Sequence, residues 1–212
     1  EQKKVDYQLQ IEAAAALSQS EINLIPKSIA KDIAKAARSG KITAKRIKQL
    51  EAKSDHDTAA LVESLAERCR KESRPWIHYG LTSNDLVDTS NSMQMRDAIK
   101  IILPKVGKLA LLLSKNAVKY KVLPAVGRTH GQHASIISFG LKFANWASEM
   151  ATHLERLDEI KKRILICKTL GVVGTGSLMG KDAVRVQERV AKKLSLFPAK
   201  VTTQIIPRER YA

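Results

Sequence analysis

Rings are scarce in this chain. Aromatic residues are 4% of its 212 positions, too few to build a stacking platform for single-stranded nucleic acid. Cysteine is nearly missing as well: Cys69 and Cys167 stand far apart, each inside a helical pattern, with no CxxC spacing. That excludes a disulfide framework and a thiolate metal site, and leaves two reduced packing residues. Long apolar runs are lacking, since stretches such as Leu109 to Leu113 are far too short to span a bilayer, and no basic start followed by an apolar stretch opens the chain. No membrane partner is expected, and the location expected is cytoplasmic. Strand signals, the alternation of apolar and polar residues, are almost absent too.

What is present is charge and helical periodicity. Lys and Arg number 37 against 21 Asp and Glu, a formal net charge of +16. Such a surplus raises nucleic-acid binding as a class. Its distribution speaks against that class, because the cations are spread along helical segments (Lys41, Lys45, Arg46, Lys48; Lys161, Lys162, Arg163; Lys192, Lys193) as solvated faces. No nucleic-acid partner is expected. A positive surplus suits a small polyanionic substrate carrying phosphates and carboxylates.

Apolar residues recur at three and four spacings almost throughout, with Gly, Pro and Asn between the runs. The pattern predicts helices over about Val5–Ser18, Pro26 to Gly40, Thr43–Ala52 and Asp57–Lys71. From about Asn84 it changes. Met95, Ile99, Ile102, Val106, Leu109, Leu113 and Ala117 form one sustained stripe on a helix reaching about Tyr120, which Pro104 is expected to kink. A second long helix is expected from about Ser135 to Ile166, with Leu141, Ala144, Ala147, Ala151, Leu154, Leu157, Ile160 and Ile164 on one side, and a last one from Asp182 to Leu194. Both long helices exceed the common length of about 11 residues more than twofold, as in bundles. The expected fold is therefore all-α: a small N-terminal helical domain, 1–83, then the first part of a long-helix bundle domain, 84–212. Two such helices joined at their ends cannot cover each other on all sides, so an oligomer is expected.

Three polar islands interrupt the helices, and each carries histidine: SDHDT (His56), HYGLTSND (His78) and GRTHGQHA (His130, His133). Four of the five histidines are thus expected in loops at helix N-termini, where backbone N–H groups and the helix dipole favour anions. His153 falls mid-helix among charges and reads as a surface residue. Such islands also cap helices, and for His56 beside Asp55 and Asp57 the capping and catalytic readings both stay open. A zinc site lacks its ligand set, no GxSxG elbow marks a serine hydrolase, and the GVVGTG run follows a helix without βαβ context. Those glycines are expected to end one helix and admit a neighbouring backbone.

Together, HYGLTSNDLVDTSNSMQMRDA and VGRTHGQHASIISFGLKFANWASEM closely resemble the fumarase/aspartase superfamily, and within it the adenylosuccinate lyase family. HYGLTSND is the more specific segment, since argininosuccinate lyases carry a GRSRND-like stretch there and fumarases a GSGTS-like one. The tail TTQIIPRERYA resembles a Gln-x-x-x-Arg-Asp-Arg segment, with Glu209 in place of the usual Asp, and Ile136 stands where proline is common. The resemblance covers essentially the whole chain.

It implies cleavage of a C–N bond by β-elimination, releasing fumarate from adenylosuccinate to leave AMP, and likewise from the succinylated carboxamide ribotide SAICAR of purine biosynthesis. Elimination needs a base for the Cβ proton, an acid for the leaving nitrogen and donors for the charge developing on a carboxylate. No metal or other cofactor is implied. By resemblance His130 is the general acid and His56 the second catalytic histidine. His78, Thr82, Ser83, Asp57, Thr129, Gln132, Gln204 and Arg208 are implied substrate contacts. The active sites are implied to be shared between subunits of a homotetramer. The family's base is a serine on a mobile loop with a Met-Pro-x-Lys-x-Asn-Pro sequence. That segment, like an N-terminal Arg-Tyr segment, is not found between Glu1 and Ala212. The chain is therefore expected to be a fragment, nearly inactive by itself. Two alternatives are another fumarate-releasing lyase, such as one acting on argininosuccinate, and a noncatalytic basic helical binding protein.

Overall fold

The computed structural model describes residues 1–211, and its elements are α1 (Gln2–Ser20), α2 (Lys27–Ala37), α3 (Ala44–Ser54), α4 (Asp57–Ala66), α5 (Ser83–Lys119), β1 (Pro124–Thr129), β2 (Gln132–Ser138), α6 (Phe139–Ile164), β3 (Ile166–Cys167), α7 (Ala183–Leu194) and β4 (Phe197–Pro198). Short 3₁₀ turns cover Lys71–Trp76, Ser177–Asp182 and Arg208–Tyr211. The architecture is mainly helical, with two small two-stranded sheets. No helix among the described residues is long and apolar enough to cross a membrane. α5 starts where the sequence pattern changes, whereas compactness follows another line: one unit holds Glu1–Met95 with the segment from Lys162 onward, the other Arg96–Lys161.

The first unit is built around α1. Its interior sequence, IEAAAAL, is buried on nearly every side, and its small residues let α2 and α7 approach closely. Ile11, Ile33, Leu61, Leu65, Val186 and Val190 are almost wholly buried in this core. Buried with them are polar α1 side chains, Gln8, Glu12 and Gln19, a pattern that needs specific partners. Both cysteines are buried and free; burial pushes the Cys69 thiol up to about 11 and that of Cys167 higher still, so they are inert packing residues. Around the glycine run the structure departs from expectation. The two-residue strand β3 lies between α6 and the loop, and it pairs in parallel with β4 across α7. Two residues are too few to display a period in sequence. The run itself behaves as expected of close-approach glycines: Gly171 lies in the left-handed region at φ 75°, and a Cβ there would lie a tight 3.0 Å from the Gly80 carbonyl oxygen.

The second unit contains the parts of the long helices between Arg96 and Lys161 and an antiparallel hairpin, β1 with β2, where helix and loop were expected. α6 accordingly begins at Phe139, not near Ser135. Thr129 pairs with Gln132, leaving the two-residue turn His130-Gly131, both at positive φ (50° and 74°). That is the backbone of a type I′ hairpin turn. Helical structure continues through Pro104. Tyr120, Phe139, Phe143 and Trp146 pack edge-on or stacked with neighbouring centroids 5.4–5.8 Å apart, joining the end of α5 to the start of α6. Of the expected α5 stripe, Ile99 is buried and Val106, Leu113 and Ala117 are partly so, while Ile102 and Leu109 are exposed.

Candidate active site

The SDHDT island forms a tight junction between two helices. Asp55 ends α3 in the left-handed region at φ 51°, and His56 is the N-cap of α4, its Nδ1 accepting from the Ala59 N–H at 3.2 Å. A backbone N–H can only donate, so Nδ1 is the acceptor and the ring proton sits on Nε2. Asp57 turns inward on its own backbone, accepting from the Thr58 N–H at 2.6 Å. His56 thus caps the helix and keeps an exposed Nε2–H donor.

The HYGLTSND island is held from three directions. His78 is left-handed at φ 62°, and Glu12 of α1 binds it twice, Oε2 accepting from its backbone N–H at 3.1 Å and Oε1 from Nδ1 at 2.6 Å. Gln19, two turns along the same face of α1, donates to the Tyr79 carbonyl at 2.6 Å. Gly80 comes so near Met179 that a Cβ would lie 2.9 Å from Cγ. At the start of α5, Asp85 reaches back to accept from the Thr82 N–H at 3.0 Å, half of a capping box. Asp85 is wholly buried; it also accepts from the Gly171 N–H at 3.0 Å and is ion-paired with Lys168, itself wholly buried and within 3.2 Å of the Gly171 carbonyl.

Burial would drain charge from the His78 ring, but the hydrogen bond and charge of Glu12, with the charge of Asp85, outweigh it and hold its pKa above the usual value. For Asp85 burial prevails and pushes the carboxyl up against the opposing pull of Lys168 and the two N–H donors.

These junctions converge on one open cavity of about 350 Å³, lined by His56, Thr58, Ala59, Val62, His78, Leu81, Thr82 and Ser83. Four implied site residues, His56, His78, Thr82 and Ser83, are therefore neighbours here, and Asp57 adjoins them in sequence. Three other predicted site residues lie in the second unit: Thr129 and Gln132 close the hairpin and His130 forms its tip, all exposed. His130 and His133 are thus on the hairpin, not at a helix N-terminus as expected, because a His-Gly pair at positive φ closes the turn. His133 faces Arg128, 3.2 Å from its guanidinium. His153 is a half-exposed α6 residue 3.8 Å from Glu149, as expected of a surface position. In the tail Gln204 is exposed, while Arg208 donates to the buried Asp88 carboxylate at 2.7 Å and lines a separate cavity with Asn91, Gln94, Met95 and Tyr211.

Sequence reading passed over Glu12, Asp88 and Lys168. Their partners lie 66 to 120 positions away; for Glu12 and Lys168 the available sign was a charge within a mainly apolar segment, whereas Asp88 stands among polar neighbours that hide it.

A family model described as Lyase matches residues 1–212. Adenylosuccinate lyase of Methanocaldococcus jannaschii is 42% identical over the whole chain, which covers 46% of that protein, and adenylosuccinate lyase of Methanothermobacter thermautotrophicus is 37% identical with 47% of its length covered. Among solved structures, a fumarate lyase from Mesorhizobium sp. BNC1 superposes with a TM-score of 0.89 at 30% identity over 95% of this chain and 47% of its own. A 3-carboxy-cis,cis-muconate lactonizing enzyme from Pseudomonas putida gives 0.87 at 30% identity over 94% and 46%. The chain spans about half the length of the curated relatives it matches. On the match along its full length, this chain belongs to the lyase family.

Proposed function

We propose that this chain contributes part of an adenylosuccinate lyase site, acting in the cytoplasm on adenylosuccinate and on SAICAR and releasing fumarate from each. The observation that carries the reading is the cavity that gathers His56, His78, Thr82 and Ser83 from two separate islands. The Thr82 and Ser83 hydroxyls have no protein partner among the described residues and sit at the positive end of α5, an arrangement suited to a carboxylate or phosphate. In the reaction a base takes the Cβ proton, the Cβ electrons form the fumarate double bond, the C–N bond breaks, and an acid delivers a proton to the leaving nitrogen. His130 is assigned the acid, with the exposed Nε2–H of His56 orienting the leaving group. Asp57, His78, Thr129, Gln132, Gln204 and Arg208 are assigned substrate contacts. The base is assigned to a serine outside these residues. Subunits of a homotetramer are proposed to share the site, the exposed hairpin tip of one chain serving a neighbour's cavity. Names of the relatives in two archaea support the substrate.

The test is spectrophotometric. The chain, extended to the length of its relatives, should convert adenylosuccinate to AMP and fumarate, and His130→Gln should lower kcat by about 10²–10⁴, the range of acid–base catalysis. A folded, tetrameric extended chain with no turnover would move the substrate to a different fumarate adduct, such as argininosuccinate.

A further inference from the structure

We propose that Glu12 is a positioning residue for His78, holding the ring proton on Nδ1 so that the Nε2 edge is the one offered to the cavity lined by His56, Thr82 and Ser83. The inference rests on reading that cavity as the substrate site.

Glu12 is 2% exposed in the middle of α1 and directs both oxygens at a single residue 66 positions away. One oxygen accepts from the His78 backbone N–H, which restrains a left-handed backbone that non-glycine residues seldom adopt. The other meets Nδ1 at 2.6 Å, and a carboxylate only accepts, so the proton on that side belongs to the ring. Nε2 has no protein partner among the described residues, and the ring lines the cavity. It donates when the ring is charged and accepts when it is neutral. His56 is fixed the opposite way, Nδ1 accepting and Nε2–H free. Two histidines on one cavity wall are thereby set in opposite tautomers by two helices, α1 through a carboxylate and α4 through a backbone N–H. A carboxylate behind an imidazole commonly sets tautomer and orientation in this way.

Glu12→Gln separates this role from simple anchoring. The amide has one acceptor; if it keeps the His78 N–H, its NH₂ faces Nδ1, which must then accept, and the ring proton moves to Nε2. Long-range ¹H–¹⁵N spectra of the histidine rings of the 212-residue chain read this directly. In the parent, neutral His78 should be the Nδ1–H tautomer and neutral His56 the Nε2–H tautomer. In E12Q only His78 should change, to Nε2–H. A parent His78 already in the Nε2–H form would overturn the proposal, as would an E12Q spectrum identical to the parent. The parent spectrum decides by itself if E12Q does not fold. Because no substrate is involved, an adenylosuccinate assay that fails would change the substrate assigned to the cavity and leave the tautomer result standing.

Discussion

Lys168 and Asp85 are wholly buried and touch, and neither lies at the surface of the candidate cavity. Their pairing ties the start of α5 to the glycine run, because Asp85 also accepts from the Thr82 and Gly171 N–H groups. Charges taken out of water are held only by such partners. Lys168→Met leaves the carboxylate with two backbone donors and no counter-charge, and the expected loss in urea unfolding is about 3–5 kcal/mol. Adding Asp85→Asn should restore part of it, since the uncompensated charge is then gone. A loss below about 1 kcal/mol, typical of an exposed pair, would show that the pair does not hold the loop. The same logic explains Asp88, buried and bound to both the Ile206 N–H and Arg208, which fastens the tail to α5.

At the scale of elements, Gly140 shows how the second unit is closed. It sits in the first turn of α6, and a Cβ there would strike the Ala117 carbonyl and lie 3.0 Å from the Lys121 nitrogen, backbone atoms that have no freedom to withdraw. Gly140→Ala should destabilise the chain by about 1–3 kcal/mol in denaturant unfolding. Gly107, inside α5 with open space around its Cα, is the matching control, and Gly107→Ala should stabilise by up to about 1 kcal/mol. Equal effects from both would dissociate the cost from the close approach. Helices such as α2 and α7 were legible in sequence because their buried residues recur on one face: Ala30, Ile33, Ala34 in one, Val186, Val190, Ala191 in the other. The β1–β2 hairpin was not. Most of its residues are exposed, so burial imposes no alternation, and its turn is closed by His-Gly where Asn-Gly would have announced it. The candidate site divides the same way. His56, His78, Thr82 and Ser83 stand out as small polar clusters before helices, whereas Glu12 hides in an alanine-rich helix and acquires its meaning from a partner distant in sequence.

At the scale of the whole molecule, the apolar surface of the second unit is the feature that a single chain does not explain. Ile101, Ile102, Leu109 and Leu112 are 60%, 46%, 44% and 56% exposed, and on α5 they fall on one stripe roughly 100° wide. Scattered exposed leucines are ordinary, but a contiguous stripe along a long helix marks an interaction surface. A second copy of the chain offers the same stripe, so a symmetric pairing of α5 with α5 would be self-complementary. The expected outcome in sedimentation is an oligomer at micromolar concentration, reduced to a smaller species by the paired change Leu109→Glu and Leu112→Glu, with helix content by circular dichroism unchanged. If parent and variant both sediment as monomers, the stripe is not a self-interface, and His130 would have to serve the cavity of its own chain or none. If the parent is oligomeric and the variant dissociates while its His78 tautomer stays as in the parent, association belongs to the second unit and the cavity wall is organised within each chain before any subunit arrives.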